Sequence, residues 1–161
     1  MTNRINKINY YLDIAQVVAG RSTCLRRKYG AIIVKNDVVI ATGYNGAPRG
    51  RQNCSDMGYC LREQMNIPRG ERYEMCRAVH SEANALISAS REQMIGATMY
   101  QACLNAITGE LENIDSCQMC KRLIINAGIE AVIYRTTPTE YRVAEVTGWI
   151  TNDDSLGKIG Y

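Results

Sequence analysis

The 161-residue chain has no phenylalanine, one tryptophan, three prolines and a single histidine. No apolar run approaches the roughly 20 residues that span a bilayer. The polar residues 1–7 are not followed by the apolar segment of a secretory signal. We therefore expect a cytoplasmic protein with no membrane partner. Because stacking aromatics are scarce and the net charge is only +3, a nucleic-acid partner is not expected either.

What is present is an ordinary globular composition. Hydrophobic residues make up 46% and charged residues 22% of the chain. These fractions exclude the disordered, collagen-like and coiled-coil classes, and the length matches one domain of typical size. We therefore predict a single domain over residues 1–161, with a loosely held tail at about 148–161.

Charge is distributed unevenly along the chain. Residues 1–79 carry 13 Lys and Arg against 6 Asp and Glu, whereas residues 80–161 carry 6 against 10. The basic residues of interest are Arg21, Arg26, Arg27 and Lys28, and then Arg49 and Arg51 beside a Gly-rich loop. Two interpretations are open for this cluster: a solvated basic face, or a surface that binds phosphate.

Seven cysteines are the most unusual feature of the composition. An odd number does not suit a disulfide framework, and disulfides are rare in the reducing cytoplasm. Metal binding is therefore the leading explanation for most of them. Cys103, near the end of a predicted strand, is interpreted as a buried apolar residue.

The hydrophobic pattern predicts helices alternating with strands. Helices are predicted at 6–19 (ending at Gly20), 80–91 and 117–127 (ending at Gly128), and strands at 31–35, 38–42, 97–102 and 131–134. Asn36-Asp37 forms a hairpin turn, and Pro138 is expected to open a last helix. This order predicts an α/β fold whose sheet is covered on both faces.

One pattern carries recognisable chemistry. Val79-His80-Ser81-Glu82 and, farther along, Cys117-Gln118-Met119-Cys120 each stand at the start of a predicted helix. One imidazole and two thiolates supply the three protein ligands of a catalytic zinc, which keeps its fourth position for water. Glu82 is placed to move the protons of that water. Taken singly, the histidine could be structural and the cysteines a redox pair, but together they form the signature of zinc-dependent nucleobase deaminases.

Longer stretches extend the similarity over nearly the whole chain. They are Ser22–Arg26, Tyr29–Val34, Ala41–Pro48, Cys76–Ala85, Cys117–Gly128 and Val132–Tyr134. With these stretches the chain resembles the deoxycytidylate (dCMP) deaminases of the cytidine deaminase superfamily, some bacterial members of which are called late competence operon protein 2. The zinc motif marks only the superfamily, whereas the Gly43-Tyr44-Asn45-Gly46 loop and Asn84 point to the nucleotide branch. The resemblance implies a three-layer α/β/α sandwich around a mixed five-stranded sheet.

The resemblance also implies an activity, the hydrolysis of dCMP to dUMP and ammonia in pyrimidine deoxynucleotide metabolism. The implied site residues are the zinc ligands His80, Cys117 and Cys120, the catalytic Glu82, and the nucleotide contacts Asn45, Asn84 and Tyr134. Glu82 would take a proton from water and deliver protons to N3 of cytosine and to the departing amine. The alternative for the three nucleotide contacts is an ordinary turn asparagine, a helix-surface asparagine and a strand tyrosine.

Two positions depart from the family's usual pattern. Ser81 stands where alanine is usual, which should matter little. Ser116 stands where proline usually precedes the first cysteine of the motif. Proline would preset that turn by fixing φ, whereas serine can cap a helix instead. We therefore expect the zinc geometry to survive and the change at position 116 to slow the enzyme without altering its chemistry.

The remaining cysteines suggest a second metal site. Some dCMP deaminases hold a second, structural zinc, and Cys24 and Cys54 match two of its positions. Together with Cys60 and Cys76 they would bind one zinc ion and so attach the irregular segment 45–77 to the catalytic helix. Their spacing is not a standard zinc-finger pattern, so four unligated thiols are the alternative.

Regulation and assembly are implied by the resemblance alone. Many members of the family are activated by dCTP and inhibited by dTTP at a site between subunits. Such a site is expected here at Arg26, Asn45 and Gly46. These members are homo-oligomers, commonly hexamers, so the same is expected of this chain.

Three other functions stay open at this point. The zinc motif also occurs in tRNA adenosine deaminases. A deaminase of another cytosine nucleotide, of a free nucleoside or of guanine would use the same chemistry, although the last two need no phosphate-binding cluster. A non-catalytic zinc-binding competence accessory protein is the third alternative. Glu82 argues against it, because a purely structural zinc has no use for an unligated carboxylate.

Overall fold

A mixed five-stranded β-sheet forms the centre of the computed structural model, which describes residues 3–156. The strands are β1 (Arg27–Lys35), β2 (Val38–Tyr44), β3 (Thr98–Asn105), β4 (Ala131–Arg135) and β5 (Tyr141–Glu145). Their order across the sheet is β2-β1-β3-β4-β5. Strands β3 and β4 run parallel and all other neighbours antiparallel. The α/β class and the mixed five-stranded sheet are therefore confirmed.

Helices cover both faces of the sheet and complete the three layers. The longer ones are α1 (Lys7–Ala19) on one face and α4 (Ser81–Leu86) and α6 (Gln118–Ala127) on the other. The shorter ones are α2 (Cys54–Met57), α3 (Leu61–Gln64), α5 (Arg91–Met94), α7 (Val146–Thr151) and a 3₁₀ turn at Tyr73–Met75. Within residues 3–156, no helix is both long enough and apolar enough to cross a membrane.

Strand β1 is apolar on both sides because helices cover both faces of the sheet. Ile32 and Val34 pack with α1, whereas Ala31 and Ile33 pack with α4 and α6. All four side chains are buried. A strand enclosed in this way has a continuous apolar run, and this run made β1 recognisable in the sequence.

Two glycines allow helices to approach the sheet closely. A Cβ atom on Gly30 would lie 2.1 Å from the carbonyl oxygen of Ala15 in α1. A Cβ atom on Gly43 would lie 2.4 Å from the carbonyl oxygen of Ser81 in α4. Both approaches require the absence of a side chain. Gly43 therefore determines how close the first turn of α4 lies to β2.

The helix predicted at 80–91 is interrupted in the structure. Helix α4 ends at Leu86, and Ser90 begins the separate helix α5. The Ser90 side chain accepts a hydrogen bond from the backbone N–H of Gln93, and the Gln93 side chain accepts from the Ser90 backbone. This reciprocal capping box starts a new helix where the apolar pattern alone indicated a continuous one.

The prediction that a last helix begins at Pro138 is wrong. Pro138 lies in a turn closed by the hydrogen bond from Thr136 N to Glu140 O, and the chain then forms β5. This strand pairs antiparallel with β4 at the edge of the sheet. Exposed and half-buried residues alternate along it, as they do in a strand with one covered face. The last helix, α7, begins only after that strand.

The tail predicted at about 148–161 differs from the structure at its start. Gly148–Thr151 belong to α7, and Trp149 packs against the core beneath it. The ammonium of Lys121 in α6 lies 5.2 Å from the Trp149 ring centroid, a cation–π contact. Residues 157–161 of that predicted tail lie outside the described residues.

Candidate active site

Two helices begin side by side on the same face of the sheet. His80 is the N-cap residue of α4 and Cys117 is the N-cap residue of α6, and the two helices are in contact. An antiparallel bridge between Gly46 and Val79 fixes the chain immediately before His80, with Val79 N 2.8 Å from Gly46 O. The fold thus brings together two motifs that are far apart in the sequence.

The three predicted zinc ligands meet at this place. His80 Nδ1 lies 3.5 Å from Sγ of Cys117 and 3.5 Å from Sγ of Cys120. Zinc bonds sulfur at about 2.3 Å and nitrogen at about 2.0 Å, so tetrahedral geometry separates the two atoms by about 3.5 Å. Within residues 3–156 this is the only group of three or more His, Cys, Asp or Glu residues whose ligand atoms all lie within 4.8 Å of one another. The residues fit zinc with three protein ligands and one open position, as in catalytic sites.

The electrostatics of the site favour the thiolate form of Cys117, which is the form that binds metal. The Cys117 sulfur accepts a hydrogen bond from the backbone N–H of Cys120 at the positive end of α6. The hydrogen bond from the Cys120 side chain lowers the pKa of Cys117 in spite of its burial. Burial lowers the pKa of His80, but hydrogen bonds with Cys117 and Cys76 outweigh it and raise the pKa to about 10. His80 and the two thiols therefore interact with one another as one group.

Glu82 lies beside the zinc ligands in a buried hydrogen-bond chain. Its side chain is only 4% exposed and within hydrogen-bond reach of Cys120. Ser81 Oγ donates to Glu82 Oε2 at 3.1 Å, and Gln101 Nε2 of β3 donates to Ser81 Oγ at 3.2 Å. Ser81, where the family usually has alanine, thus supplies an O–H donor that orients the carboxylate.

A cavity of about 250 Å³ opens at this site. Its wall includes His80, Glu82 and Cys117 and also four arginines, Arg26, Arg27, Arg62 and Arg69. Arg26 pairs with Glu63 at 3.0 Å and Arg27 with Glu112 at 2.5 Å. The cavity therefore joins a metal site and a carboxylate to a strongly basic wall, which suits a small anionic ligand.

Asn45 lines the cavity, as predicted for a nucleotide contact, but its side chain also holds the wall together. Its Oδ1 accepts hydrogen bonds from Ser22 Oγ at 2.5 Å and from Tyr29 N at 2.8 Å. Its Nδ2 donates to the carbonyl oxygen of Arg27 at 2.9 Å. One hydrogen of the Asn45 amide nitrogen is used in this bond. The second hydrogen is the donor that Asn45 can offer to a ligand.

The structure does not bring the other two predicted nucleotide contacts to the cavity. Asn84 Nδ2 donates to the carbonyl oxygen of Tyr44 at 2.8 Å. Tyr134 is fully buried, and its hydroxyl lies 2.7 Å from Ser116 Oγ and accepts from Ser116 N at 3.2 Å. Both side chains are engaged by other parts of the chain. Tyr134 thereby secures the turn before Cys117 that proline usually presets.

The residues predicted for a regulatory site do not form a separate pocket. Arg26 and Asn45 line the same cavity as Glu82. Gly46 is not part of the cavity wall, and its backbone is bridged to Val79. A regulatory nucleotide at these three residues stays a prediction.

The four cysteines predicted for a second zinc lie in one region but not in a closed cluster. Cys24, Cys60 and Cys76 line the cavity, and burial together with the charges of these three raises the pKa of Cys54. Ser55 N donates to Thr23 O at 3.2 Å, which joins the two loops that carry Cys54 and Cys24. Among residues 3–156, no three of these cysteines have their sulfurs within 4.8 Å of one another. The prediction that Cys103 is a core residue is confirmed, because it is fully buried in β3.

Sequence reasoning missed several residues of the site. Gln101 is the one fully buried amide of β3, and an amide within an apolar strand is a signal that could have found it. Arg62 and Arg69 belong to the irregular segment 45–77, where no periodicity indicates which side chains point inward. Their position in the cavity wall follows only from the tertiary structure.

Comparison with known proteins identifies the family. Residues 5–136 match the family described as "Cytidine and deoxycytidylate deaminase zinc-binding region". The deoxycytidylate deaminase of Mycobacterium phage D29 is 43% identical over 130 residues, which cover 78% of this chain and 91% of the relative. That of Schizosaccharomyces pombe is 35% identical over 129 residues, covering 80% of this chain but 37% of the relative.

A solved structure agrees with these relatives. The dCMP deaminase of the cyanophage S-TIM5, in complex with dCMP and dUMP, is 28% identical and has a TM-score of 0.55. The match covers 80% of this chain and 79% of that one. The family match spans both helix starts that form the zinc site as well as the loop that carries Asn45. The chain therefore belongs to the cytidine and deoxycytidylate deaminase family.

Proposed function

We propose that this protein is a zinc-dependent deoxycytidylate deaminase that hydrolyses dCMP to dUMP and ammonia in pyrimidine deoxynucleotide metabolism. The observation that carries the proposal is the content of one cavity. Its wall includes the zinc ligands His80 and Cys117, the buried Glu82 and four arginines. The first two suit hydrolytic deamination of a base, and the arginines suit a substrate with a phosphate.

The substrate is supported by the relatives and by the charge of the cavity. Two relatives are named deoxycytidylate deaminases, and the S-TIM5 enzyme binds dCMP and dUMP. A free nucleoside would offer no anion to Arg62 and Arg69, the two arginines of the wall that no ion pair engages within residues 3–156. A polynucleotide would require a positive surface larger than this cavity.

Glu82 would carry out the proton transfers of the reaction. Zinc in this site would activate a water molecule as a nucleophile at neutral pH. Glu82 would accept one proton of that water and deliver it to N3 of the cytosine as the oxygen bonds to C4. Glu82 would then pass the second proton to the amino nitrogen, which leaves as ammonia when the C4–N bond breaks. Water thus supplies the oxygen and both protons, and Glu82 ends in its starting ionised state.

A substrate panel tests the proposed function. Ultraviolet absorbance would be followed with dCMP, CMP, deoxycytidine, dCTP and an RNA hairpin, and with dCMP in the presence of dCTP or dTTP. We expect rapid deamination of dCMP and little reaction of deoxycytidine, because only the nucleotide engages the arginines. Turnover of RNA alone, or of no substrate, would overturn the proposal.

We further propose regulation by dCTP and dTTP, a homo-oligomer such as a hexamer, and a cytoplasmic location. The exposed Arg49 and Arg51 beside the Asn45–Gly46 loop support an effector phosphate. Exposed apolar side chains such as Val17 and Ile87 support contacts between subunits. All seven cysteines are free thiols, as in a reducing compartment. An unchanged dCMP rate with both effectors would contradict the regulation.

A second, structural zinc is also proposed, at Cys24, Cys54, Cys60 and Cys76. These cysteines stand on four short pieces of chain that have little apolar core of their own. Their free thiols and their common region support the proposal, because, besides burial, the charges of Cys24, Cys60 and Cys76 all act on Cys54 and raise its pKa. Closed four-cysteine sites of this kind stabilise the segments that they join.

The zinc content of the purified protein tests this second site. We expect two equivalents per chain in the wild type and one in the Cys54→Ser variant, which leaves His80, Cys117 and Cys120 in place. The Cys103→Ser variant is the matched control and should keep both ions. A single equivalent in the wild type would contradict the second site.

A further inference from the structure

We propose that Arg69 binds the 5′-phosphate of the nucleotide and that the buried Arg62 positions the turn that carries it. This inference rests on the proposed function, because it names the residue by which the enzyme would distinguish a nucleotide from a nucleoside. Both arginines line the cavity that contains His80 and Glu82.

Arg69 is held at the tip of a tight turn. Glu71 N donates to Pro68 O at 3.3 Å, so the four residues Pro68–Glu71 close a β-turn with Arg69 at its second position. Gly70 follows with φ +87°, which a type II turn requires at its third position. Gly70 N also donates to the Tyr73 hydroxyl at 3.2 Å. The backbone of Arg69 is therefore fixed although its side chain is exposed to solvent.

Arg62 fixes this turn from inside the protein. It is only 5% exposed, and its Nη2 donates to Pro68 O at 2.7 Å and to Glu71 O at 2.8 Å, on either side of Arg69. Its guanidinium lies 4.6 Å from the Tyr73 ring centroid. The Tyr73 ring in turn contacts His80 edge to face at 5.1 Å. The turn therefore has a defined position relative to a zinc ligand.

Two of the four cavity arginines form no ion pair among the described residues, although Glu82 and Asp115 also line the cavity and the charge of Arg69 acts on Glu112. The ion pairs found within residues 3–156 engage Arg26 and Arg27, but none engages Arg62 or Arg69. A buried guanidinium without a carboxylate is costly unless another anion compensates it. Burial raises the pKa of Tyr29 in the same wall, and the positive charge of Arg69 opposes that rise. The field of Arg69 thus reaches into the cavity, where a phosphate dianion would compensate its charge.

Removal of the Arg69 side chain tests the assignment. For Arg69→Ala we expect kcat/KM for dCMP to fall about 10- to 100-fold, mainly through KM, because a charge-assisted hydrogen bond is lost. The slow reaction of deoxycytidine should not change. Arg69→Lys should recover part of the loss, because it keeps the charge without the planar fork. Gly70→Ala should resemble Arg69→Ala, because alanine strains the turn at positive φ.

Arg72→Ala is the matched control. Arg72 belongs to the same segment, pairs with Glu74 at 3.4 Å and does not line the cavity, so both substrates should react as with the wild type. An Arg69→Ala variant with unchanged KM for dCMP, or with an equal loss on deoxycytidine, would overturn the assignment.

Binding measured without turnover separates this inference from the proposed function. Calorimetric titration of the zinc-loaded Glu82→Gln variant with dCMP should show about 10- to 100-fold weaker binding when Arg69→Ala is added. Equal dCMP affinity in both variants would contradict the role of Arg69, even if the wild type produces dUMP. Failure of the wild type to produce dUMP, with the loss of affinity present, would contradict only the proposed function.

Discussion

Replacement of Glu82 by glutamine is expected to lower the turnover of dCMP by about 10²- to 10⁴-fold, the contribution of a positioned acid–base group. Glutamine keeps the size of the side chain but can neither accept the proton of water nor deliver one to N3 or to the amine. Because Glu82 is not one of the three grouped ligands, the zinc content should stay at the wild-type value. Steady-state kinetics with dCMP and metal analysis of the same preparation measure both quantities.

Ser81→Ala is the matched control for this prediction. It leaves the carboxylate in place and removes the O–H that donates to Glu82 Oε2, together with the oxygen that accepts from Gln101 Nε2. We expect a loss of about tenfold or less, the value of one hydrogen bond, since alanine is usual at this position in the family that the chain resembles. A Glu82→Gln variant that is as active as Ser81→Ala would contradict the assigned proton transfers.

Loss of one sulfur ligand is the second change with a large expected effect. Cys120→Ala should lower the zinc content by one equivalent per chain and abolish deamination. Cys120 lies in the first turn of α6, 3.5 Å from His80 Nδ1, and is fully buried. With only two protein ligands the site no longer matches a catalytic zinc, which requires three.

Cys103→Ala controls for the packing effect of the same substitution. Cys103 is also fully buried, belongs to the same core cluster as Cys120 and is not a ligand. Both variants should lose roughly 1 kcal/mol of stability from the small cavity. Zinc at about 100 times its Kd adds about 2.7 kcal/mol, or about 5 to 10 °C in Tm for a domain of this size. The stability gained on adding zinc should be larger for Cys103→Ala than for Cys120→Ala, because only Cys103→Ala keeps the catalytic zinc site. Equal zinc contents of the two variants would contradict the ligand assignment.

The zinc ligands could be proposed from the sequence because each half of the site is a local motif. His80 and Glu82 stand two residues apart, and Cys117 and Cys120 share the first turn of one helix. Only the meeting of the two halves depends on the fold, and the family resemblance implied it. The apolar runs of β1 and β4 were recognisable for a similar reason, since burial on both faces leaves a continuous signal.

Other features depend on interactions that composition and spacing do not contain. The edge strand β5 has one covered face and therefore only a weak alternation of apolar and polar residues. The sequence after Pro138 does not distinguish this strand from a helix. The hydroxyl of Tyr134 is engaged by Ser116 of a distant segment. Arg62 reaches the cavity because its guanidinium binds two carbonyl groups of an irregular turn. Each of these outcomes follows from a tertiary hydrogen bond or pairing partner that local sequence does not specify.

Zinc-dependent release of ammonia from dCMP is the activity that we propose for this protein. The most direct measurement follows dUMP and ammonia together after dCMP is added to the zinc-loaded protein, to the chelated protein and to the protein reloaded with zinc. We expect equal amounts of the two products, their disappearance after chelation and their return with zinc. Absence of dUMP with the zinc-loaded protein, or an unchanged rate after verified removal of the metal, would contradict the proposed activity.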